Sequence, residues 1–294
     1  MITSSVFGIP YQDVVGDLEE NAELLEELSK CNESQSDGSN DSCACSVQFI
    51  GNQWGFLMHG FMYFFMAGTI AYLVANIFRA GRDGKVYNNP TIVCSMVSIL
   101  INLTFIFYFT WAFLWDKSEW IGSAVLLFLA ACTSVISLVK FSFNLSTYTE
   151  KLHHESAIDL WIYRILVQNT LALVTVWTFC LFLMNFAIAL VHNGNIYGPS
   201  ASVGMIIVLT FVIAVWTPLD VMVWDRIFRY MITPFAVLIW VLSSIYDRLK
   251  DDECHDVTVR VYTVVLLTIV LTIFVGRILL TVYRHLWKPL AKNQ

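Results

Sequence analysis

Seven runs of apolar residues, each long enough to cross a lipid bilayer, set the terms for any fold of this chain. A hydrocarbon core about 30 Å thick takes roughly 20 apolar residues per helix. The runs fall near 55–78, 91–115, 119–145, 161–191, 201–222, 228–246 and 258–283. The connections between them are short, so no separate catalytic domain is expected inside the chain. The expected fold class is all-α, a polytopic seven-transmembrane-helix bundle. Its domains are an acidic tail over 1–54, a membrane domain over 55–287 and a short tail over 288–294.

Composition agrees. The 294 residues are 57% hydrophobic and 15% aromatic, with 14% charged, and the mean hydropathy is +0.65. Soluble domains carry about 25% charged residues. The net charge of −6 gathers in the first 54 residues and near position 250. It reflects topology, and it offers no basic surface for nucleic acid, which is not an expected partner.

Orientation follows from the basic residues beside the helix ends. One set of connections carries Arg79, Arg82, Lys85, Lys151, Arg164, Arg226, Arg229, Arg284, Lys288 and Lys292, the other only Lys30, Lys117, Arg248, Lys250 and Arg260. This predicts an outside N-terminus and a cytosolic C-terminus. Lys140 and Arg277 fall inside helices, where long side chains are expected to snorkel toward headgroups. The opening MITSSVFGIPYQDVVGDLEE has neither a basic nor an apolar leader region, so the first membrane helix is expected to carry the tail across. In that tail, Asp17 is a candidate cap for a short helix with Leu18, Leu24, Leu25 and Leu28 on one side.

The same orientation puts the sequons at Asn32 and Asn40 outside as glycosylation candidates, along with Cys31, Cys43, Cys45 and Cys254. Those four are disulfide candidates, and at least one bond would tie the tail to the loop before the last helix. Cys94, Cys132 and Cys180 fall within helices. The localisation expected is a plasma or secretory-pathway membrane.

Chemistry is sparse. No nucleophile stands beside a base, no glycine loop cradles a phosphate and no carboxylates pair within the runs, so turnover is not expected. His59, His192 and His255 map to the outer boundary, where single interfacial histidines are the expectation and no metal site is assigned. Pro218 and Pro234 are expected to kink their helices. DRIFRY at 225–230 follows the fifth run, the last run has no lysine, and no Asn-Pro-x-x-Tyr is found, so rhodopsin-like and retinal proteins fit poorly. Asn102 and Asn185 lie deep in apolar runs, where an amide must find a partner.

Those two asparagines and the first run together resemble the translocator protein family, the tryptophan-rich TspO/MBR proteins. The residues that carry the likeness are Trp54, Phe56, Tyr63, Met66, Gly68 and Ala71–Val74, then Asn102, Phe105 and Tyr108-Phe109, then Trp177, Phe179 and Asn185. It covers about 54–193. Asn52-Gln53 stand where the family has a proline pair, Gly60 replaces its second Trp and Phe105 a later one. The family's initial helix is absent and three helices follow.

The resemblance implies a site for a hydrophobic small molecule, tetrapyrrole- or sterol-like, among the first four helices. It would be lined by Trp54, Phe56, Tyr63, Asn102, Phe105, Phe109, Trp177 and Asn185, and the activity would be binding, sensing or transport. The other reading is an orphan seven-helix receptor or channel with a disulfide-tethered, glycosylated tail. Oligomeric state stays open, a homo-oligomer included.

Overall fold

The computed structural model describes residues 47–51, 53–81, 84–85, 92–194, 196–251 and 256–287. The candidate cap Asp17, the sequons at Asn32 and Asn40, His255 and all four disulfide-candidate cysteines lie outside these residues.

The architecture is helical apart from a two-residue antiparallel ladder, Ala80–Gly81 with Gly84–Lys85. A 3-10 turn over Gln53–Leu57 leads into α1, Met58–Phe78. Then come α2, Ser95–Asp116, and α3, Trp120–Thr147. A short α4, Thr149–Glu155, precedes the long α5, Ala157–His192, which passes through a π-turn at Tyr163–Gln168. Helix α6, Gly198–Val223, ends in a second π-turn, Leu219–Val223. A four-residue α7, Asp225–Phe228, joins it to α8, Thr233–Asp251, and α9, Val257–Trp287, closes the chain.

Six described helices are long and apolar enough to cross a membrane: Trp54–Phe78, α2, α3, α5, α6 and α9. The chain is therefore an integral membrane protein. Helix α8 falls outside that set because Asp247, Arg248, Lys250 and Asp251 crowd its last turns. It also begins five residues later than the apolar run suggests. Pro234 thus occupies its first turn, where a missing N–H costs nothing, and does not kink it. Pro218 stands immediately before the α6 π-turn.

Helix α5 is the hub: α1, α3, α6 and α8 all pack on it. Two thirds of its apolar window (67%) lies inside the molecule against 17% for α1. Small residues explain the close packing, since helices in lipid gain little from hydrophobicity and associate by contact. The buried face of α3 presents Ser123, Ala124, Ala130, Ala131, Ser134 and Ser137, and α5 answers with Ala172, Thr175 and Ala187. Outward faces carry Phe64, Phe78, Phe211 and Met222, exposed here and lipid-facing in a bilayer.

The molecule has two distinct ends. One is covered by an irregular strap, Val47–Gly51; we call it the strap end. The other, called the basic end, carries Arg79, Cys94 and the connection from Asp225 to Thr233.

Candidate functional site

At the strap end, four pieces of chain enclose an apolar crevice. Helix α5 contributes Trp177, Cys180, Leu181 and Met184, which helical spacing puts on one face; α8 contributes Val241, Ser244 and Ile245 in the same way. Phe49 and Gly51 of the strap and Gly55 and Phe56 of the 3-10 turn complete the wall. The cavity measures about 40 Å³, room for a few waters. Gly51 and Gly55 permit this closeness. A Cβ at Gly51 would collide with the Ser244 hydroxyl, and one at Gly55 would meet Ser244 Cβ at 2.8 Å.

Behind this wall stands an aromatic cluster. The His59 ring meets Trp177 edge-on at 4.8 Å, stacks on Phe56 at 6.0 Å and lies 6.4 Å from both Tyr63 and Tyr108. Its Nδ1 is 3.1 Å from the Phe56 carbonyl. Trp177 Nε1 and the Tyr108 hydroxyl are buried with no hydrogen-bond partner among the described residues. The sequence places His59 singly at the outer boundary, whereas the fold sets it among these aromatic rings. His192 stacks instead on Trp120, and no group of three metal-ligating side chains forms among the described residues.

The residues expected to line one site are distributed over four places. Phe56 and Trp177 form the crevice wall, and Tyr63 lies one turn along from His59. Trp54 is an anchor: its indole N–H donates to Asp247 at 2.8 Å, its ring meets Trp240 at 5.3 Å, and Trp240 in turn donates to the Gly55 carbonyl at 3.0 Å. Asn185 is a clamp. Its Oδ1 accepts from Trp111 Nε1 at 3.0 Å and Ser123 Oγ at 2.9 Å, and its amide donates to the Leu181 carbonyl, so one buried side chain joins α2, α3 and α5. Asn102 lies on the exposed face of α2, donating to its own Ser98 carbonyl at 2.8 Å, with Phe105 and Phe109 on the same side. The two asparagines are not brought together. Phe49 and the α8 residues entered the site unannounced; the paired glycines in "GNQWG" were the available signal.

The basic end holds a buried charge cluster. Arg277 is 2% exposed and Asp220 0%, and Arg277 Nη2 donates to Asp220 Oδ1 at 2.8 Å and to the Phe228 carbonyl at 2.9 Å. Asp225 binds Arg229 at 2.7 Å and also pairs with Arg284. The expected snorkelling of Arg277 is thus corrected: the second π-turn and α7 bring carboxylates to it inside the bundle. Lys140 is exposed, as a snorkelling lysine requires.

Beside this cluster the non-helical backbone is met by side chains. The carbonyls of Ile227, Phe228, Arg229 and Tyr230 accept in turn from Gln168 at 3.0 Å, Arg277 at 2.9 Å, Thr281 at 3.0 Å and Asn169 at 3.1 Å. Asn169 Oδ1 also accepts the amides of Ile232 and Thr233, which starts α8. Irregular backbone at membrane depth survives only when satisfied in this way. Nearby, Arg79 grips Asp159 with two bonds, 2.7 and 3.0 Å, while Tyr72 donates to the same carboxylate at 2.9 Å.

Set against protein families, characterised proteins and solved structures, the chain matches none. What its own fold defines is a class: an integral membrane protein built on a helical bundle, with an apolar crevice at one end and a buried ionic cluster at the other.

Proposed function

We propose that this is a seven-span membrane protein that binds a small hydrophobic molecule in the crevice at Trp177, for sensing or transport. The observation that carries the reading is the crevice itself: an apolar space inside the bundle, walled by Phe56 and Trp177, two of the aromatic residues on which the likeness to translocator proteins rests. The seventh span is α8. Its 19 residues rise about 28 Å, and about 21 Å of that separates Thr233, held at the basic end by Asn169, from Asp247, held at the strap end by Trp54. Ligand pockets usually run to about 300–1,000 Å³, so a tetrapyrrole or sterol requires a wider state of this crevice than the one described.

Binding is tested with purified full-length protein, protoporphyrin and a sterol, read by quenching of tryptophan emission. Wild type should bind, and Cys180→Phe, which fills the cavity, should weaken binding about tenfold, or about 1.4 kcal/mol. Equal affinity in the two proteins, or no binding by wild type, removes the reading.

The proposed orientation has its own test. Cys94 immediately precedes α2; burial pushes its thiol pKa up, but the Val97 and Met96 backbone, the Asn144 amide and Lys140 outweigh this and hold it below the ordinary value. An impermeant maleimide should therefore modify Cys94 readily from the cytosolic side of sealed vesicles. Modification from the outer side would invert the topology.

A receptor or channel is the second reading. It is favoured by the Asp220–Arg277 pair, since intramembrane charge commonly marks a functional element.

A further inference from the structure

The crevice is closed by a piece of chain with few fastenings. Val47, Gln48, Phe49 and Ile50 are all buried at the strap end, yet the strap belongs to no helix or ladder. Among the described residues its backbone is fastened through one hydroxyl: the amides of Gln48 and Phe49 both donate to Ser202 Oγ, at 2.9 and 3.1 Å. Ser202 is itself directed by donating to the Gly198 carbonyl at 2.9 Å. One further bond, from the Asp256 amide to Gln48 Oε1 at 3.2 Å, reaches the start of α9. The Gln48 side-chain nitrogen is buried with no partner among the described residues.

The strap is also part of the cavity wall, through Phe49 and Gly51. Helices α5 and α8 form the opposite side, and each is tied into the bundle by its own packing. Of the pieces around the cavity, the strap is therefore the one that can move without breaking a helix. Its far end continues directly into residues 1–46, so whatever engages the tail pulls on this segment.

We propose that Val47–Gly51 is a lid over the crevice, latched by Ser202 and seated against Ser244, and that its release admits the ligand. The proposal rests on the ligand-binding reading of the same crevice and supplies its regulation. Closed, the lid leaves about 40 Å³; released, it vacates the volume of the Phe49 side chain and its neighbours and opens a path to Trp177.

Cys180 reports on the lid without any ligand, because its thiol is buried and lines the cavity. Purified full-length protein in nanodiscs is treated with a small charged methanethiosulfonate reagent, and modification of the Cys180 peptide is followed by mass spectrometry. Ser202→Ala removes the acceptor of both strap amides and should speed modification about tenfold. Gly51→Ala, whose Cβ meets Ser244, should do the same, and the added Ser244→Gly change should return the rate toward wild type. A cysteine placed at Ala172, fully buried on α5 in a separate cluster with Leu138, Phe228 and Met231, should stay unmodified in both variants; its modification would mean general loosening and would overturn the lid. Wild-type rates in Ser202→Ala and Gly51→Ala would overturn it as well. Ligand binding by protein whose Cys180 rate ignores the strap would sink the lid alone, whereas faster modification without porphyrin or sterol binding in any variant would keep the lid and sink the binding reading.

Discussion

Arg277→Met should destabilise the protein by about 3–5 kcal/mol, because it removes one partner of a fully buried ion pair. The cost arises chiefly from what stays behind. Asp220, with no exposed surface, loses the one cation hydrogen-bonded to it among the described residues, while Asp225 keeps Arg229 and Arg284. The Phe228 carbonyl loses its donor at the same time. Replacing both members, Asp220→Leu with Arg277→Met, should recover most of the loss, since apolar residues of similar volume often replace a buried pair at little cost. Thermal unfolding of detergent-solubilised protein, followed by size-exclusion chromatography, measures all three. A double variant as unstable as Arg277→Met alone would show that the pair is not the seat of the effect.

Asn185→Ala should be the second most damaging substitution, at about 2 kcal/mol. Membrane hydrogen bonds average only about 0.6 kcal/mol, but this change strands two donors together, the Trp111 indole and the Ser123 hydroxyl. Asn102→Ala removes a bond to the residue's own helix on an exposed face and should cost no more than about 0.5 kcal/mol. The double variant should be additive within about 0.5 kcal/mol, as sites without shared partners are. Strong coupling between the two would mean that they meet after all.

The contrast between these asparagines shows how far the sequence could be read. Length and apolarity located the membrane helices well, and the long fourth run became α5 with one terminus within a residue of its expected place. Amphipathicity could not say which way a helix faces, because lipid and protein interior are equally apolar: Phe109 outside and Phe141 inside belong to the same vocabulary. Asn102 and Asn185 therefore look alike in the chain and differ only in the fold. Arg277 was misplaced for a related reason. Its partner is 57 positions away, inside a π-turn that no local pattern announces. The crevice was legible in part, through Phe56 and Trp177, whereas Ser244 and Ile245 come from a helix outside the stretch that carries the family likeness. No local pattern joins Trp54 to Asp247, 193 positions away, so the fastening that this indole makes at a helix end could not be read from the chain.

The four successive carbonyls from Ile227 to Tyr230 bear on how the molecule can deform. Each is held by a side chain from α5 or α9, so neither helix can slide past α7 at that level without surrendering at least one of these bonds. At the other end, among the described residues, a single hydroxyl fastens the backbone of the segment that crosses the mouth. The lid proposed above would therefore make the protein a clamp riveted at one end and sprung at the other, with its compliance concentrated where the apolar space lies.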